Sequence, residues 1–260
     1  MTRRDLAFRL LAVALLLFLT LDAAQAQYRG PDQWQAEIAA LVSGDAASPP
    51  PAHAVLFVGS SSIRLWTTLA DDFPGVPTIN RGFGGSRIAD STFCADRIVV
   101  PYRPALIVMY AGDNDIAGGR TSQQVIDDFK AFVARVRRDL PQTAIAYVSI
   151  KPSVARAALW PQMRAANDGI ARWALTQKRV SFVDVASAML DARGQPRPEL
   201  LREDGLHMLR AGYAIWTAAL TPVLARYGFA PRKRADSAGR GGRDRPAPAP
   251  APAARQPPAP

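Results

Sequence analysis

Four short apolar runs constrain the fold of this chain more than any other feature of its sequence. They are AVLFVG at 54–59, ALIVMYAG at 105–112, TAIAYVSI at 143–150 and VSFVDV at 180–185. Each run is continuously apolar rather than alternating, as expected of strands that helices cover on both faces of a parallel sheet. A fifth run, VPTIN at 76–80, is a weaker strand candidate.

Helical patterns lie between and around these runs. Thr121-Ser-Gln-Gln124 resembles a capping box, and further helices are predicted over 160–177 and 209–227. The residues expected to face the core of the capped helix are Val125, Phe129, Phe132, Val133 and Val136. Strands that alternate with helices predict the α/β class, as a three-layer α/β/α sandwich with a mainly parallel sheet.

An amphipathic helix is also predicted over 32–43, ahead of the first strand. Its apolar positions recur at helical spacing and are Trp34, Ile38, Leu41 and Val42. We expect this helix to lie on the main domain and to end before the prolines at 49–51.

The two ends of the chain differ in composition from the central part. Residues 1–26 combine three arginines, an apolar run at 10–21 and the small-residue sequence Ala24-Gln25-Ala26. This pattern predicts a signal peptide cleaved near Ala26, and therefore a periplasmic or secreted protein. Residues 231–260 hold eight prolines and no large apolar residue, which predicts a disordered tail. Residues 27–230 remain as one domain of ordinary size.

The net charge of +10 is concentrated in the predicted tail. Residues 231–260 carry +5 and residues 1–26 carry +1, so that the predicted domain carries +4. This distribution argues against a nucleic-acid-binding domain. The basic tail is more simply explained as a solvated end than as a surface for weak contact with an anionic cell envelope.

Cysteine and histidine are scarce. Cys94 is the single cysteine, so no internal disulfide can form, and we expect its thiol to be a small buried apolar group. The histidines are His53 and His207. This set is too small for a zinc cluster, and no metal or organic cofactor is predicted.

Four short polar motifs follow predicted strands or precede the last predicted helix. They are Gly59-Ser-Ser-Ser62, NRGFGGS at 80–86, Gly112-Asp-Asn-Asp115 and Asp204-Gly-Leu-His207. Each motif alone is a weak signal, because glycine turns and Asx-rich loops are common. Open α/β sheets bind ligands at the carboxyl ends of their strands, so these motifs are expected to meet there.

The residue types in these motifs are those of acyl transfer. A serine hydroxyl needs a base to remove its proton, and His53 precedes the first strand, at the wrong end of the sheet. His207 is therefore the expected base, and Asp204 can accept the other ring N–H and fix the tautomer. A glycine N–H and an asparagine amide can stabilise the oxyanion that forms.

Taken in this order, the motifs resemble those of the SGNH hydrolases, also called the GDSL esterase/lipase family. The forms GSSSIRLW, NRGFGGS and AGDND are similar to those of its small secreted bacterial branch. The resemblance implies a flavodoxin-like sandwich with five parallel strands and a serine esterase that needs no cofactor. It implies a triad of Ser61, Asp204 and His207, and an oxyanion hole formed by Ser61, Gly85 and Asn114.

One departure from the family pattern leaves the nucleophile open to argument. Ser60 stands where the family has an aspartate, and from sequence Ser60 and Ser62 remain alternatives to Ser61. We expect Ser60 to form a local hydrogen bond or helix cap, and Ser62 to begin the next helix.

Other residues near the motifs receive weaker assignments. Asp113 and Asp115 are interpreted as residues that structure their loop, whereas Arg81, Arg87 and Trp66 are candidates to line the site.

The predicted function is hydrolysis of carboxylic esters: short acyl esters, acetylated sugars or lysophospholipids. The predicted partner is a small ester substrate, either a lipid or an acylated carbohydrate, with no role for nucleic acid. Two alternatives remain: an acyltransferase acting on an envelope glycan, and a non-catalytic protein that binds the envelope.

Overall fold

The structure, a computed structural model, describes residues 28–230 of the chain. The predicted signal peptide (1–26) and the predicted tail (231–260) lie outside these residues. The five strands of the sheet are β1 (Val55–Gly59), β2 (Thr78–Gly82), β3 (Leu106–Tyr110), β4 (Ala144–Val148) and β5 (Val180–Val183). They are all parallel, in the order β2-β1-β3-β4-β5. The carboxyl ends of β1 and β3 therefore lie side by side, near the middle of the row of strand ends.

Helices connect the strands. The α-helices are α1 (Gln35–Ala47), α2 (Ser61–Arg64), α3 (Leu69–Asp72), α4 (Ile88–Phe93), α5 (Ala95–Ile98), α6 (Asp113–Ala117), α7 (Ser122–Asp139), α8 (Trp160–Ala174) and α9 (Arg210–Arg226). Short 3-10 helices lie at Pro31–Trp34, Val100–Tyr102, Val154–Leu159, Ser187–Met189 and Pro198–Leu200. In the part of the chain that the structure describes, no helix is both long and apolar enough to cross a membrane.

The sheet is buried on both faces, and this confirms the predicted three-layer sandwich. Leu56 and Val58 of β1 pack against the helices of one face, chiefly α1, α4, α5, α7 and α8. Val55 and Phe57 point the other way, into a second core formed with α2, α3 and α9. Because helices cover both faces, the inner strands β1, β3 and β4 are buried at every position and are continuously apolar, whereas the edge strands β2 and β5 are only partly buried.

Four of the predicted strands are confirmed to within one or two residues, whereas the fifth is shifted along the chain. It was predicted at 76–80 and is found at Thr78–Gly82. Pro77 has no N–H to donate to a neighbouring strand. Pairing runs instead from Thr78 opposite Val55 to Gly82 opposite Gly59. Three residues of the polar motif, Asn80, Arg81 and Gly82, consequently belong to the strand itself.

The predicted N-terminal helix is present with different bounds. Residues 31–34 form a 3-10 turn, and α1 runs from 35 to 47 instead of 32 to 43. The helix stops at Ser48, since the residue before a proline is disfavoured in the α conformation. Ile38 is fully buried as expected, but Val42 is exposed, contrary to its assignment to the packed face.

The capping box before α7 is confirmed. The Thr121 hydroxyl accepts a hydrogen bond from the Gln124 N–H at 3.2 Å, and Gln124 Oε1 accepts one from the Thr121 N–H at 2.9 Å. All five residues predicted to face the core are buried. Cys94 is likewise buried and free, and burial raises the pKa of its thiol to about 11.

Candidate active site

The turn after β1 sets the position of the three adjacent serines. Gly59 has a φ of +134°, and a Cβ there would lie 1.8 Å from the carbonyl oxygen of Tyr110 in β3. Only glycine fits so close to the neighbouring strand. The Ser60 N–H then donates to the same carbonyl at 2.9 Å, and α2 begins at Ser61. The chain thus turns sharply at the carboxyl edge of the sheet.

Burial and contacts distinguish the three serines. Ser60 is 1% exposed and Ser62 is 2% exposed, whereas Ser61 is partly exposed. Ser60 occupies the helix-cap position, but its hydroxyl has no hydrogen-bond partner among the described residues, contrary to expectation. Ser62 lies inside α2 rather than at its start, so that expectation was also wrong. Ser61 is left as the serine whose hydroxyl reaches the surface.

His207 and Asp204 meet Ser61 across the fold. His207 Nε2 lies 3.0 Å from Ser61 Oγ, and His207 Nδ1 lies 2.6 Å from Asp204 Oδ2. Asp204 Oδ1 accepts the backbone N–H groups of Leu206 and His207, both at 2.9 Å. The hydrogen bond from the imidazole, together with these backbone donors, holds the pKa of Asp204 well below its usual range. His53 lies in the turn before β1, at the opposite end of the strand.

The charge state of Asp204 fixes the proton arrangement of the histidine. A charged carboxylate requires a proton on Nδ1, and neutral His207 then has a lone pair on Nε2 facing Ser61. This is the arrangement in which an imidazole accepts the proton of a hydroxyl.

Two further loops at the carboxyl ends of the strands, one after β2 and one after β3, bring candidate hydrogen-bond donors together. A Cβ built on Gly85 would lie 3.8 Å from Asn114 Nδ2, so the loop after β2 and the helix after β3 meet. Gly85 is exposed, and within residues 28–230 the backbone N–H groups of Ser61 and Gly85 have no acceptor. Asn114 donates one amide hydrogen to the carbonyl of Ser86 at 3.1 Å and has a second to offer. These groups match the donors expected from the sequence.

The N-terminal helical segment contacts the loop after β2, which contains Gly84 and Gly85. Glu37 Oε1 accepts the Gly84 N–H at 3.0 Å. Gly84 has a φ of +37°, and a Cβ there would lie 1.9 Å from Cζ3 of Trp34. The Trp34 ring also packs edge-on against Phe83 at 5.9 Å. Sequence reasoning placed Trp34 on a packed face but missed Glu37, because no local pattern links it to Gly84.

Sequence reasoning also missed a cluster of charged side chains that contacts Asn114. Arg156 donates to Asp113 Oδ2 at 2.9 Å and to Asn114 Oδ1 at 2.8 Å. Lys151 Nζ lies 3.9 Å from the same Asp113 oxygen. Lys151 is 1% exposed, and burial lowers the pKa of its ammonium group. Both cations lie in the sequence KPSVAR at 151–156. Their spacing in this sequence does not predict that both contact Asp113.

Asp115 has a structural contact of the kind predicted for it. Its Oδ1 accepts the N–H of Ile88 at 3.1 Å and so joins α6 to the start of α4. The side chain is fully buried, and burial raises its pKa to about 7. Asp113 contacts the cations described above instead of the backbone of its own loop.

The structure does not bring the three other candidates to the triad. Trp66 is 1% exposed, stacks in the core and donates to Asp72 at 2.7 Å. Arg81 forms an ion pair with Asp45 on the side of α1. Arg87 directly precedes α4, with its guanidinium over the ring of Tyr28 at 3.7 Å. All three stabilise neighbouring packing, since each already has a partner there. Within the described part of the chain, no group of His, Cys, Asp and Glu could hold a metal ion.

Comparison with known proteins places this site in a familiar context. Residues 51–215 match the model of the GDSL-like lipase/acylhydrolase family, a span that includes all four motifs. No curated protein matches the chain.

Several solved structures share the fold. A protein from Streptococcus pneumonia that carries the provisional name platelet activating factor is 23% identical, with a TM-score of 0.66 over 82% of this chain and 99% of that one. A GDSL-like lipase from Bacteroides thetaiotaomicron is 20% identical, with a TM-score of 0.61 over 77% and 99% of the two chains. A catalytic mutant of Axe2, an acetylxylan esterase from Geobacillus stearothermophilus, is 16% identical, with a TM-score of 0.55 over 69% and 96%.

Proposed function

The chain belongs to the GDSL-like lipase/acylhydrolase family, as its motifs predict, and on this premise we propose that it is a serine esterase acting through an acyl-enzyme. The observation that carries the proposal is the pair of contacts made by His207. Its Nε2 lies 3.0 Å from Ser61 Oγ and its Nδ1 lies 2.6 Å from Asp204 Oδ2. Both distances are those of hydrogen bonds between a nucleophile, a base and an orienting carboxylate.

The first half of the reaction acylates Ser61. Its Oγ attacks the ester carbonyl carbon while His207 Nε2 takes the hydroxyl proton, and Asp204 stabilises the imidazolium. The carbonyl oxygen becomes an oxyanion held by the N–H groups of Ser61 and Gly85 and by the Asn114 amide. As the carbon–oxygen bond to the leaving group breaks, His207 returns the proton to the departing alcohol.

The second half releases the acid. A water molecule gives a proton to His207 Nε2 and attacks the acyl carbon, and the same donors hold the new oxyanion. The bond to Ser61 Oγ then breaks, and His207 returns the proton to that oxygen. The products are a carboxylic acid and free enzyme, so a histidine that is neutral at the start is needed in both halves.

We propose as substrates the short acyl esters, acetylated sugars and lysophospholipids expected from the sequence. The likeness in fold to an acetylxylan esterase supports the acetylated sugars. We also propose that the protein works outside the cytoplasm, on the strength of the signal-like sequence of residues 1–26.

The deciding experiment compares Ser61→Ala with Ser60→Ala. The full chain is assayed on p-nitrophenyl acetate and p-nitrophenyl octanoate, and serine labelling by a fluorophosphonate is mapped by mass spectrometry. We expect Ser61→Ala to lower kcat by about 10⁴-fold or more and to abolish labelling. Ser60→Ala is the matched control, because the Ser60 hydroxyl is buried without a partner among the described residues.

Two outcomes would contradict the proposal. If wild type hydrolyses neither ester and is not labelled, it is not a serine esterase of this kind. If Ser61→Ala retains activity while Ser60→Ala loses it, the nucleophile has been placed on the wrong residue. The ratio of the acetyl and octanoyl rates measures which acyl length the site prefers.

A further inference from the structure

Arg156 contacts the side-chain amide of Asn114, one of the proposed oxyanion donors. It lies in the 3-10 helix Val154–Leu159 after β4, and its side chain is only 18% exposed. Nη2 donates to Asn114 Oδ1 at 2.8 Å and Nη1 donates to Asp113 Oδ2 at 2.9 Å. One planar guanidinium therefore joins two consecutive residues of α6, the second of which provides an oxyanion donor.

The hydrogen bonds of the Asn114 amide account for its orientation. The amide has one acceptor oxygen and two N–H donors. Arg156 occupies the oxygen, and the Ser86 carbonyl takes one donor at 3.1 Å. The remaining N–H is left for the substrate. A flipped amide would turn its NH₂ toward the guanidinium, donor against donor, and its oxygen toward the oxyanion.

Arg156 also changes the electrostatics of this donor. A guanidinium stays charged at any working pH, and an amide whose oxygen accepts from it becomes a stronger N–H donor. Within the cluster, Asp113 is one carboxylate shared by two cations, Arg156 and Lys151. The guanidinium therefore places a positive charge next to the oxygen of the Asn114 amide, where it favours a negative charge on an oxygen that accepts from the amide N–H.

We propose that Arg156 is a positioning residue that holds and polarises the Asn114 amide for the oxyanion. The inference rests on the proposed esterase function and deepens it. Because the oxyanion exists only in the transition state and intermediates, Arg156 should affect kcat and leave KM nearly unchanged.

A double-mutant comparison tests this role. Arg156→Met, Asn114→Ala and the double variant are assayed on p-nitrophenyl acetate, with unfolding temperatures measured in parallel. We expect Asn114→Ala to lower kcat by about 10²–10³-fold and Arg156→Met by about 10–10²-fold. If Arg156 acts through Asn114, the double variant should match Asn114→Ala within about twofold. Arg135→Met is the matched control, since Arg135 is 11% exposed and ion-paired with Asp139, on α7.

The remaining outcomes separate this inference from the proposed function. If wild type is active but Arg156→Met equals it, or the two losses multiply in the double variant, the role of Arg156 is refuted and the esterase stands. If wild type hydrolyses neither p-nitrophenyl acetate nor p-nitrophenyl octanoate and is not labelled, the proposed function fails and this inference fails with it. Should Arg156→Met not fold, the same comparison is made with Arg156→Lys, which keeps the charge but loses the two-pronged geometry.

Discussion

The carboxylate of Glu37 accepts the backbone N–H of Gly84 at 3.0 Å, which ties helix α1 to the loop that presents Gly85. We expect Glu37→Ala to cost about 1 kcal/mol of stability, because a partly buried N–H loses its acceptor. Without this hydrogen bond the Gly85 N–H should be held less firmly in place. We therefore also expect a lower kcat on p-nitrophenyl acetate. Denaturant unfolding and steady-state kinetics measure the two effects.

Two variants serve as controls for Glu37→Ala. Glu37→Gln keeps an acceptor oxygen and should remain close to wild type. Arg64→Ala removes the 3.5 Å ion pair between Arg64 and Glu37, which is largely exposed and worth at most about 1 kcal/mol. Equal losses of kcat in Arg64→Ala and Glu37→Ala would show that the ion pair, and not the hydrogen bond, matters.

Gly84→Ala should be far more damaging than its left-handed conformation alone requires. A Cβ at Gly84 would lie 1.9 Å from the Trp34 ring, whereas one at Gly119 would meet nothing within 4 Å. Both glycines have positive φ, so Gly119→Ala measures the conformational strain of about 1–2 kcal/mol by itself. We expect Gly84→Ala to lower the unfolding temperature further and to lose most activity. Equal melting temperatures in the two variants would rule out the predicted clash.

Asp204→Asn should leave a folded but weakly active protein. Asparagine can still accept a backbone N–H, but it no longer stabilises the imidazolium or enforces the proton on Nδ1. We expect kcat to fall by about 10³–10⁴-fold, with little change in unfolding temperature. Asp184→Asn is the matched control, because Asp184 accepts the N–H of Ser187 at 3.2 Å in a similar turn outside the triad. A loss below tenfold in Asp204→Asn would exclude an essential role for this carboxylate.

Asp115→Asn should stabilise the protein at alkaline pH. Burial raises the pKa of Asp115 to about 7 from its ordinary value of 3.8. Between these values the folded protein keeps a proton that the unfolded chain has lost, so this group makes stability fall as pH rises from about 4 to 7. Asparagine does not ionise. The variant should therefore gain on the order of 2–4 kcal/mol relative to wild type between pH 4 and pH 8.

Unfolding free energies at pH 4, 6 and 8 measure this effect. The control is Asp127→Asn, since Asp127 is exposed and its hydrogen bonds to Gln123 and Lys130 lower its pKa. Its difference from wild type should stay constant over this range. A constant difference for Asp115→Asn as well would mean that Asp115 is ionised throughout.

The sequence predicts the sheet well because its strands lie in the centre of the domain. Helices bury both faces of these strands, so burial is recorded locally as continuous apolar runs. The α7 helix was predicted for a similar reason, since its capping box and core positions lie within one short stretch. The error in β2 arose at Pro77, where apolar character continues but the N–H needed for pairing is missing.

The predicted site residues lie in motifs that follow strands or precede the last helix, whereas the supporting residues lie outside these motifs. Glu37 acts on a loop 47 positions away, and Arg156 reaches Asn114 across 42 positions. A lone glutamate in a helix or a lone arginine in a loop resembles any solvated charge. Such contacts depend on tertiary geometry, which no local pattern records.

The choice among three adjacent serines required the structure for a different reason. Residue type is identical at all three positions, and only the sharp turn at Gly59 determines which hydroxyl faces outward. Sequence register favoured Ser61, but the burial of Ser60 and Ser62 could not be inferred from it.

The wide spacing of the site along the chain has a consequence for the newly made protein. Ser61 and His207 are 146 positions apart, and α9, which follows His207, binds α2 through the hydrogen bond from the Tyr213 hydroxyl to the Ser62 carbonyl at 2.9 Å. Ribosomes make chains from the N-terminus, so Ser61 emerges long before His207, the proposed base. Under the proposed mechanism, a nascent chain that stops short of His207 has no base and cannot hydrolyse an ester. Esterase activity should therefore appear only when synthesis of the domain is nearly complete.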